Sequence, residues 1–360
     1  MSNALLVLED GRCFVGEPTG SVGEAFGEVV FNTSMTGYQE ILSDPSYCGQ
    51  IVCFTAPQIG NYGVCPDDLQ AERPALSGLV LREPSPVASS WRAAGSLDKW
   101  LCDHGIVGIC GVDTRALTRH LRDCGAMRAG VWSGAAAGTD ELVARVRATP
   151  PMEGRNLAEE VSTSRPYSVP AEGESRRSVV VVDFGVKRGI LRQLTRRGLR
   201  LEVLPATCTA EQVLDLRPDG VVLSNGPGDP AVVAAGIEAA RGLVGKLPLL
   251  GICLGHQILA LALGARTYKL RFGHHGGNHP VRDERTGEVW ITAQNHGFAV
   301  DPGTLPAGAV THVSLYDGTL EGFDLPDRRA LAVQFHPEGC PGPSDAAAIF
   351  DRFDALLEEA

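Results

Sequence analysis

The second half of the chain has short hydrophobic runs that alternate with segments whose hydrophobic residues recur every three or four positions. The four valines at 179–182 have the length and the β-branched character of a strand buried on both faces. The pattern predicts strands at 179–184, 200–204, 220–223 and 247–252, and helices at 188–197, 209–216, 231–245, 256–263 and 345–359. Because strands that alternate with helices of this length form parallel sheets, we expect a doubly wound α/β domain over residues 178–360.

The first half has shorter hydrophobic runs with turn residues between them. Two strand-length runs flank Asp10-Gly11, a dipeptide that favours a hairpin. The pattern predicts strands at 4–9, 13–17, 27–32, 50–54 and 106–112, and helices at 91–104, 114–124 and 140–149. It indicates a β-rich α+β domain over residues 1–150. Prolines, glutamates and serines without periodicity follow, so residues 151–177 are interpreted as a linker.

Composition narrows the class of protein. The chain has 360 residues and a formal charge of −11, without a lysine- or arginine-rich run, which argues against nucleic-acid binding. No apolar run approaches the roughly 20 residues of a membrane span, and the first residues lack a basic segment, so neither a membrane protein nor a secreted one is expected. We therefore expect a cytoplasmic location.

Ten cysteines are spread along the chain without metal-binding spacing. Most are expected to be reduced residues of the core. His274, His275 and His279 are close in sequence, but they lie in a glycine-rich run and are not predicted to hold a metal.

The sharpest candidate for chemistry is Cys253. The predicted strand at 247–252 runs into Gly-Ile-Cys-Leu-Gly and then directly into a helix, which is the arrangement of a nucleophile elbow with cysteine in place of serine. At a helix N-terminus, the N–H groups and the dipole favour a thiolate. The N–H of Leu254 would point at an oxyanion formed on attack. A buried cysteine in a glycine-rich turn is the alternative.

A nucleophilic cysteine needs a base and a group that orients it. Another hydrophobic run ends in His336-Pro-Glu338, which offers an imidazole and a carboxylate two positions apart. Because residues i and i+2 of an extended segment point the same way, the two side chains can approach each other. Taken alone, the tripeptide could equally be a polar turn.

Two further segments have the composition of ligand-binding loops. Residues 224–230 follow a predicted strand and contain Gly226 and Gly228, whose backbone could approach a ligand closely. Residues 294–298 combine polar side chains with Phe298. Ordinary turns explain each segment about as well when it is taken alone.

Together, these segments resemble the class I (triad-type) glutamine amidotransferases. The segments at 31–40, 44–47, 108–117, 183–185, 224–230, 272–280 and 292–300 extend the likeness. Along nearly its whole length, the chain is similar to the small, glutamine-hydrolysing subunits of carbamoyl-phosphate synthases. The resemblance implies an N-terminal domain characteristic of that family, followed by a class I glutamine amidotransferase domain.

The resemblance also implies roles. Cys253 would attack the side-chain amide of L-glutamine to form a thioester, with His336 as base and then acid and Glu338 as its orienting group. The N–H groups of Leu254 and Gly226 would line the oxyanion hole. The residues implied to bind glutamine are Ser46, Gly226, Gly228, Leu254, Gln257, Asn295, Gly297 and Phe298.

Partners and cofactors follow from the same resemblance. Ammonia would pass to a separate large subunit, which would combine it with bicarbonate and two ATP to make carbamoyl phosphate for arginine and pyrimidine synthesis. No cofactor is expected in this chain, since it has no Walker A motif; ATP and magnesium are expected on the large subunit. Cys340, just after the His-Pro-Glu segment, departs from the pattern and could make the site sensitive to oxidation.

Three rival functions stay open at this point. The triad could act on peptides or γ-glutamyl chains, although the two loops and the N-terminal domain argue against that. The fold could also serve as a binding subunit with an idle triad, or as a glutaminase that supplies a different synthetase. The ratio of glutamine to peptide turnover separates the first rival from the amidotransferase hypothesis.

Overall fold

The computed structural model describes residues 4–134 and 138–359 and divides the chain into two compact units. The first contains Met1–Glu153 together with Arg271–His275, and the second contains Gly154–Leu270 and Gly276–Ala360. The short segment at 271–275 lies in the predicted second domain by sequence, yet it belongs to the first unit. The second unit also takes up most of the interpreted linker, which contains a helical turn and a strand.

The first unit is built on a closed barrel with the strand order β1-β2-β8-β6-β4-β3-β9. Its strands are β1 (Ala4–Leu8), β2 (Cys13–Gly20), β3 (Gly23–Asn32), β4 (Gln50–Phe54), β5 (Gln58–Ile59), β6 (Gly78–Val80), β7 (Glu83–Pro84), β8 (Val107–Cys110) and β9 (Met127–Ser133), of which β5 and β7 form a separate pair. Its helices are α1 (Tyr38–Leu42), α2 (Leu97–Asp103), α3 (Thr114–Cys124) and α4 (Thr139–Ala148).

Strand alternation explains how the barrel is covered. Leu6 and Leu8 of β1 belong to one buried cluster, whereas Val7 packs in another cluster with Leu142 and Val146 of α4. This is the period of two expected for a strand that buries both faces. The hairpin predicted at Asp10-Gly11 is confirmed, since β1 and β2 pair in antiparallel register.

The helix predicted at 91–104 is wrong in its first half. The helix starts only at Leu97, because the hydroxyl of Ser96 caps it by accepting the Lys99 N–H at 3.3 Å. Trp91, which suggested the helical spacing, is 93% exposed. The helix therefore begins after its cap residue, Ser96, and not where the periodic spacing begins.

The second unit contains a ten-stranded sheet with the order β10-β12-β11-β13-β14-β19-β18-β17-β15-β16. Its strands are β10 (Tyr167–Val169), β11 (Arg177–Asp183), β12 (Leu199–Pro205), β13 (Gly220–Leu223), β14 (Leu249–Ile252), β15 (Thr267–Asp283), β16 (Val289–Val300), β17 (Val310–Ser314), β18 (Leu320–Leu325) and β19 (Ala330–Val333). Its helices are α5 (Ala158–Val161), α6 (Arg188–Thr195), α7 (Ala210–Asp215), α8 (Ala234–Leu243), α9 (Leu254–Ala262) and α10 (Ala348–Glu358).

Strands β12, β11, β13, β14 and β19 are parallel neighbours, which confirms the doubly wound core. Alternate valines of β11 enter different clusters: Val180 and Val182 pack on one face of the sheet, Val179 and Val181 on the other. The carboxyl ends of the parallel strands therefore meet at one edge, where ligands bind in such sheets. Across residues 4–134 and 138–359, no helix combines the length and the apolar character needed to cross a bilayer.

Two buried histidines of this unit predict how its stability depends on pH. Burial lowers the pKa of His312 to about 4, although Asp283 raises it, and burial lowers the pKa of His256 to about 3. Both folded values lie below the ordinary 6.5, so the unfolded chain binds more protons as the pH falls below 6.5. We expect each histidine to remove about 1.4 kcal/mol of stability per pH unit between about pH 6 and pH 5.

Urea unfolding at a series of pH values measures this slope. His312→Asn should flatten it by about half, since one of the two groups no longer takes up a proton. His104→Asn, an exposed histidine of the first unit, serves as the control. An unchanged slope in the His312 variant would contradict the assignment.

Candidate active site

Cys253 lies at the carboxyl edge of the parallel strands, between β14 and α9. Its backbone has φ +53° and ψ −105°, a strained left-handed conformation that is uncommon for a residue with a Cβ. The side chain is buried, with 2% of its surface exposed. As the first residue of α9, Leu254 has a backbone N–H without an acceptor inside the helix, so this group can bind an anion beside the thiol.

Gly255 is what allows the elbow to lie against the neighbouring strand. A Cβ at this position would come 2.0 Å from the carbonyl oxygen of Leu223, and the Gly255 N–H donates to the Ser224 carbonyl at 2.9 Å. The helix and β13 are therefore in backbone contact directly beneath Cys253. The second glycine of the motif is explained by this close approach.

We expect Gly255→Ala to lower the free energy of unfolding by about 3 kcal/mol, because the helix must move off the strand. The displacement also moves Cys253, so any activity that depends on this thiol should fall in the fraction that folds. Gly95→Ala is the matched control, since the nearest atom to its added Cβ is 3.7 Å away. Urea unfolding compares the two, and equal losses would contradict the packing explanation.

His336 and Glu338 follow the last parallel strand, β19, and form an ion pair. Their atoms Nδ1 and Oε1 are 2.8 Å apart, and both side chains are buried. The backbone N–H of His336 donates to the Ala293 carbonyl at 2.9 Å, which connects this segment to β16. Because Nδ1 is occupied by the carboxylate, Nε2 is the imidazole atom left for the thiol of Cys253.

Lys187 is a member of this group that the sequence did not reveal. It immediately precedes α6, and its Nζ donates to Glu338 Oε1 at 2.6 Å, with 2% of the lysine side chain and none of the glutamate side chain exposed. Its backbone N–H donates to Asn225 Oδ1 at 3.2 Å. The only signal in the sequence was its place after Asp183-Phe-Gly, at the carboxyl end of β11.

The negative charge of Glu338 and the positive charges of Lys187 and His336 stabilise each other. Burial lowers the pKa of His336, but the Glu338 carboxylate and Cys253 outweigh it and raise the value to about 10. Burial raises the pKa of Glu338, but Lys187 and His336 hold it at about 2. The geometry thus favours an imidazolium and an ionised carboxylate together, and a protonated imidazole stabilises a neighbouring thiolate.

A backbone carbonyl and a side-chain amide also contact the sulfur of Cys253. The carbonyl oxygen of Asn295, on β16, lies 3.5 Å from Sγ, and Nε2 of Gln334 lies 3.7 Å from it. Gln334 precedes His336 by two residues and shares its side of the extended segment. Gln334 was not predicted from the sequence, although the period of two after the strand could have indicated it.

Gln257 lies one turn of α9 after Cys253. Its amide nitrogen donates to the Phe298 carbonyl at 2.7 Å and to Gln334 Oε1 at 2.9 Å. The amide nitrogen has two N–H donors, and these two hydrogen bonds use both of them. A ligand can therefore hydrogen-bond to the Gln257 side chain only by donating to its oxygen. Phe298 is buried, with the Lys269 ammonium 5.8 Å from the centre of its ring, while a Cβ on Gly297 would meet open space.

The loop after β13 brings its two candidate glycines against backbone. A Cβ on Gly226 would lie 2.2 Å from the Phe184 carbonyl oxygen. Gly228 has φ +91°, and a Cβ there would lie 2.7 Å from the Arg155 carbonyl oxygen. Both positions therefore have a packing reason to be glycine, besides the ligand contact implied for them.

Ser46 and Cys340 are the remaining singled-out residues. Ser46 is buried in a short 3₁₀ helix of the first unit, where its N–H donates to Asp44 Oδ1 at 2.9 Å. Its contact with glutamine stays a prediction. Cys340 is half-buried, and its thiol donates to the Glu338 carbonyl at 3.4 Å.

A buried cysteine on a strained elbow, paired with His and Glu at one edge of a doubly wound sheet, defines a triad-type amidotransferase. The family profile described as glutamine amidotransferase class-I matches residues 180–356. The profile of the carbamoyl-phosphate synthase small chain, CPSase domain, matches residues 6–131.

Relatives match this chain over nearly its whole length. A carbamoyl phosphate synthase small chain of Syntrophotalea carbinolica is 50% identical over 99% of this chain and 98% of its own length. Those of Streptomyces avermitilis and Bacillus caldolyticus are each 52% identical, over 99% and 98% of this chain and 96% of their own lengths. The chain belongs to the family of carbamoyl phosphate synthase small chains.

Proposed function

We propose that this chain hydrolyses L-glutamine to glutamate and ammonia as the glutaminase subunit of a carbamoyl-phosphate synthase. The observation that carries the proposal is the buried set of Cys253, His336 and Glu338, with 2.8 Å between Nδ1 and Oε1 of the last two. Membership of the family of small chains supports glutamine as the substrate. A nucleophile, a base and an orienting carboxylate are the parts that amide cleavage requires.

The chemistry runs in two halves. Sγ of Cys253 attacks the side-chain amide carbon of glutamine, and the proton held at Nε2 of His336 goes to the nitrogen as the C–N bond breaks. Ammonia and a γ-glutamyl thioester result. Water then attacks the thioester carbon and gives its proton to His336; the C–S bond breaks and glutamate leaves. Glu338 keeps the imidazole oriented throughout.

The substrate contacts are part of the proposal. The N–H groups of Leu254 and Gly226 would hold the carbonyl oxygen during attack, because oxyanions are stabilised by preorganised backbone donors. Gln257 would accept from the substrate through its oxygen. The other residues proposed to hold glutamine are Ser46, Gly228, Asn295, Gly297 and Phe298.

The ammonia needs an acceptor. We propose a large synthase subunit that binds ATP and magnesium and uses bicarbonate to make carbamoyl phosphate, whereas this chain needs no cofactor for hydrolysis. One relative carries the name carbamoyl phosphate synthase pyrimidine-specific small chain, which supports pyrimidine synthesis as a destination; arginine synthesis is the other. The cytoplasmic location stays a prediction.

Reconstitution tests this function. The chain is combined with a large chain of the same family, and carbamoyl phosphate is measured with either glutamine or ammonium chloride as the nitrogen source. We expect glutamine to support synthesis only when this chain is present, whereas ammonium should support it without this chain. Glutamine hydrolysis that never raises carbamoyl phosphate would retain the glutaminase and refute the synthase assignment.

A further inference from the structure

Gln334 is a completely buried residue whose amide contacts both the nucleophile and a residue proposed to bind glutamine. It directly follows β19, and the Cys253 N–H donates to the carbonyl of the preceding residue, Val333, at 2.9 Å. The backbone N–H of Gln334 donates to the Glu321 carbonyl of β18, also at 2.9 Å. These backbone hydrogen bonds fix where the Gln334 side chain starts relative to the thiol.

The residues around Gln334 explain which way its side chain points. Ala332, two positions earlier, packs in the hydrophobic cluster that includes Ile258 of α9. Val333 and Phe335 pack in the cluster on the other face of the sheet. Because side chains alternate along an extended segment, Gln334 lies on the face that α9 covers. A buried amide there is costly unless its polar atoms have partners.

The two ends of the Gln334 amide have different partners. Its Nε2 lies 3.7 Å from Sγ of Cys253, and its Oε1 accepts from Nε2 of Gln257 at 2.9 Å. The reverse orientation would place the amide oxygen against a thiolate and two NH₂ groups against each other, and both arrangements are unfavourable. The contacts at the two ends therefore select the same orientation of the amide.

Each contact matters for a different part of the reaction. As a thiol, Cys253 can donate to the Asn295 carbonyl, which lies 3.5 Å from Sγ. A thiolate needs donors instead, and Nε2 of Gln334 is placed to supply one. Nε2 of Gln257 donates to Gln334 and, at 2.7 Å, to the Phe298 carbonyl, so the oxygen of Gln257 is left for a ligand.

We propose that Gln334 has two functions in glutamine hydrolysis, an inference that rests on the proposed function. It is a catalytic residue, because its N–H stabilises the Cys253 thiolate before attack and again when the thioester breaks down. It is also a positioning residue, because it holds the Gln257 amide with its oxygen toward the substrate. The first function affects the chemical steps, whereas the second affects the binding of glutamine.

A double-mutant cycle with Gln334→Met and Gln257→Met separates the two functions. Glutamine hydrolysis is measured with the full chain combined with a large chain of the same family. We expect Gln334→Met to lower kcat about 10- to 100-fold and to raise KM about tenfold. In the Gln257→Met background, it should lower kcat by the same factor and leave KM unchanged, because the positioning acts through Gln257. A wild-type kcat would overturn the catalytic function, and additive effects on KM would overturn the positioning function.

A second variant keeps the test valid if methionine disrupts the fold. Gln334→Glu preserves the shape and an oxygen that can accept from Gln257, but an ionised carboxylate has no N–H for the sulfur. We expect kcat to fall by at least tenfold while KM stays within about twofold of wild type. A loss in KM without a loss in kcat would overturn the division of functions.

Alkylation of Cys253 by iodoacetamide tests the sulfur contact without turnover. We expect its rate to fall about fivefold in Gln334→Met, and an unchanged rate would overturn the contact. Gln193→Met is the control, since it removes an amide of α6 whose oxygen accepts from Arg197 at 2.8 Å, and it should react at the wild-type rate. A wild-type chain that does not hydrolyse glutamine would refute the proposed function, whereas the alkylation rates would still decide whether Gln334 acts on the sulfur.

Discussion

Cys253→Ser should lower the release of ammonia from glutamine by about 10⁴-fold or more, because the hydroxyl is a far weaker nucleophile in a site built for a thiol. The fold should be retained, since serine fills the same small, buried position. Purified variant and wild-type chains are compared for glutamate and ammonia, and a thioester is sought by mass spectrometry after a rapid acid quench.

Cys208→Ser is the matched control for this prediction. Cys208 is buried in the hydrophobic core of the same unit, where burial raises its pKa to about 11. Its replacement should cost some stability and leave the turnover of glutamine within about twofold of wild type. Activity that survives in the Cys253 variant, or disappears in the Cys208 variant, would show that the nucleophile has been misassigned.

Lys187→Met should have the second largest effect, and it should act on stability and catalysis together. The change removes one of the two cations that neutralise Glu338, at a site where both side chains are almost completely buried. Breaking a buried ion pair costs about 3 kcal/mol. With Lys187 absent, the pKa of Glu338 should rise from its value of about 2, since burial then opposes the negative charge more strongly.

The sign of the pH effect follows from this shift. The folded pKa of Glu338 lies below the ordinary value of 4.5, so the stabilisation from its charge is complete above that pH and is lost as the pH falls toward about 2. A higher folded pKa narrows the difference between the folded and the ordinary pKa of Glu338. We therefore expect Lys187→Met to unfold at a less acidic pH. Lys246→Met, at an exposed lysine, is the control. Acid unfolding at the wild-type midpoint would contradict the coupling.

Glutamine turnover gives a second readout of Lys187. Because the lysine helps keep Glu338 ionised and in place for His336, we expect kcat to fall about 10- to 100-fold in the methionine variant. KM should change less, since Lys187 bonds to the carboxylate of the triad. A loss confined to KM would instead indicate that Lys187 contacts the substrate.

Much of the site could be predicted because its chemistry sits beside strand ends that the sequence marks clearly. Cys253 follows a hydrophobic run and is framed by glycines, and His336 and Glu338 follow another such run. Lys187 has no comparable motif around it in the sequence. Its partner Glu338 is 151 positions away, so only the folded sheet brings the two together.

The fold shows the same division between local and long-range information. Helix α3 agrees with its hydrophobic spacing, because a cap at Asp113 and a buried face determine it locally. The segment at 271–275 belongs to the first unit, far from that unit's other residues in sequence. No local pattern could indicate this, since the pairing depends on tertiary contacts such as the Ala126 N–H to the Arg271 carbonyl at 2.8 Å.

The closed barrel also has a consequence for fragments of this protein. β1 pairs with β2 on one side and with β9 on the other, so a chain that lacks its first eight residues would lose both ladders at once. Two long strands would then display unpaired amides, and such open edges recruit other chains. An N-terminal truncation should therefore precipitate or form oligomers.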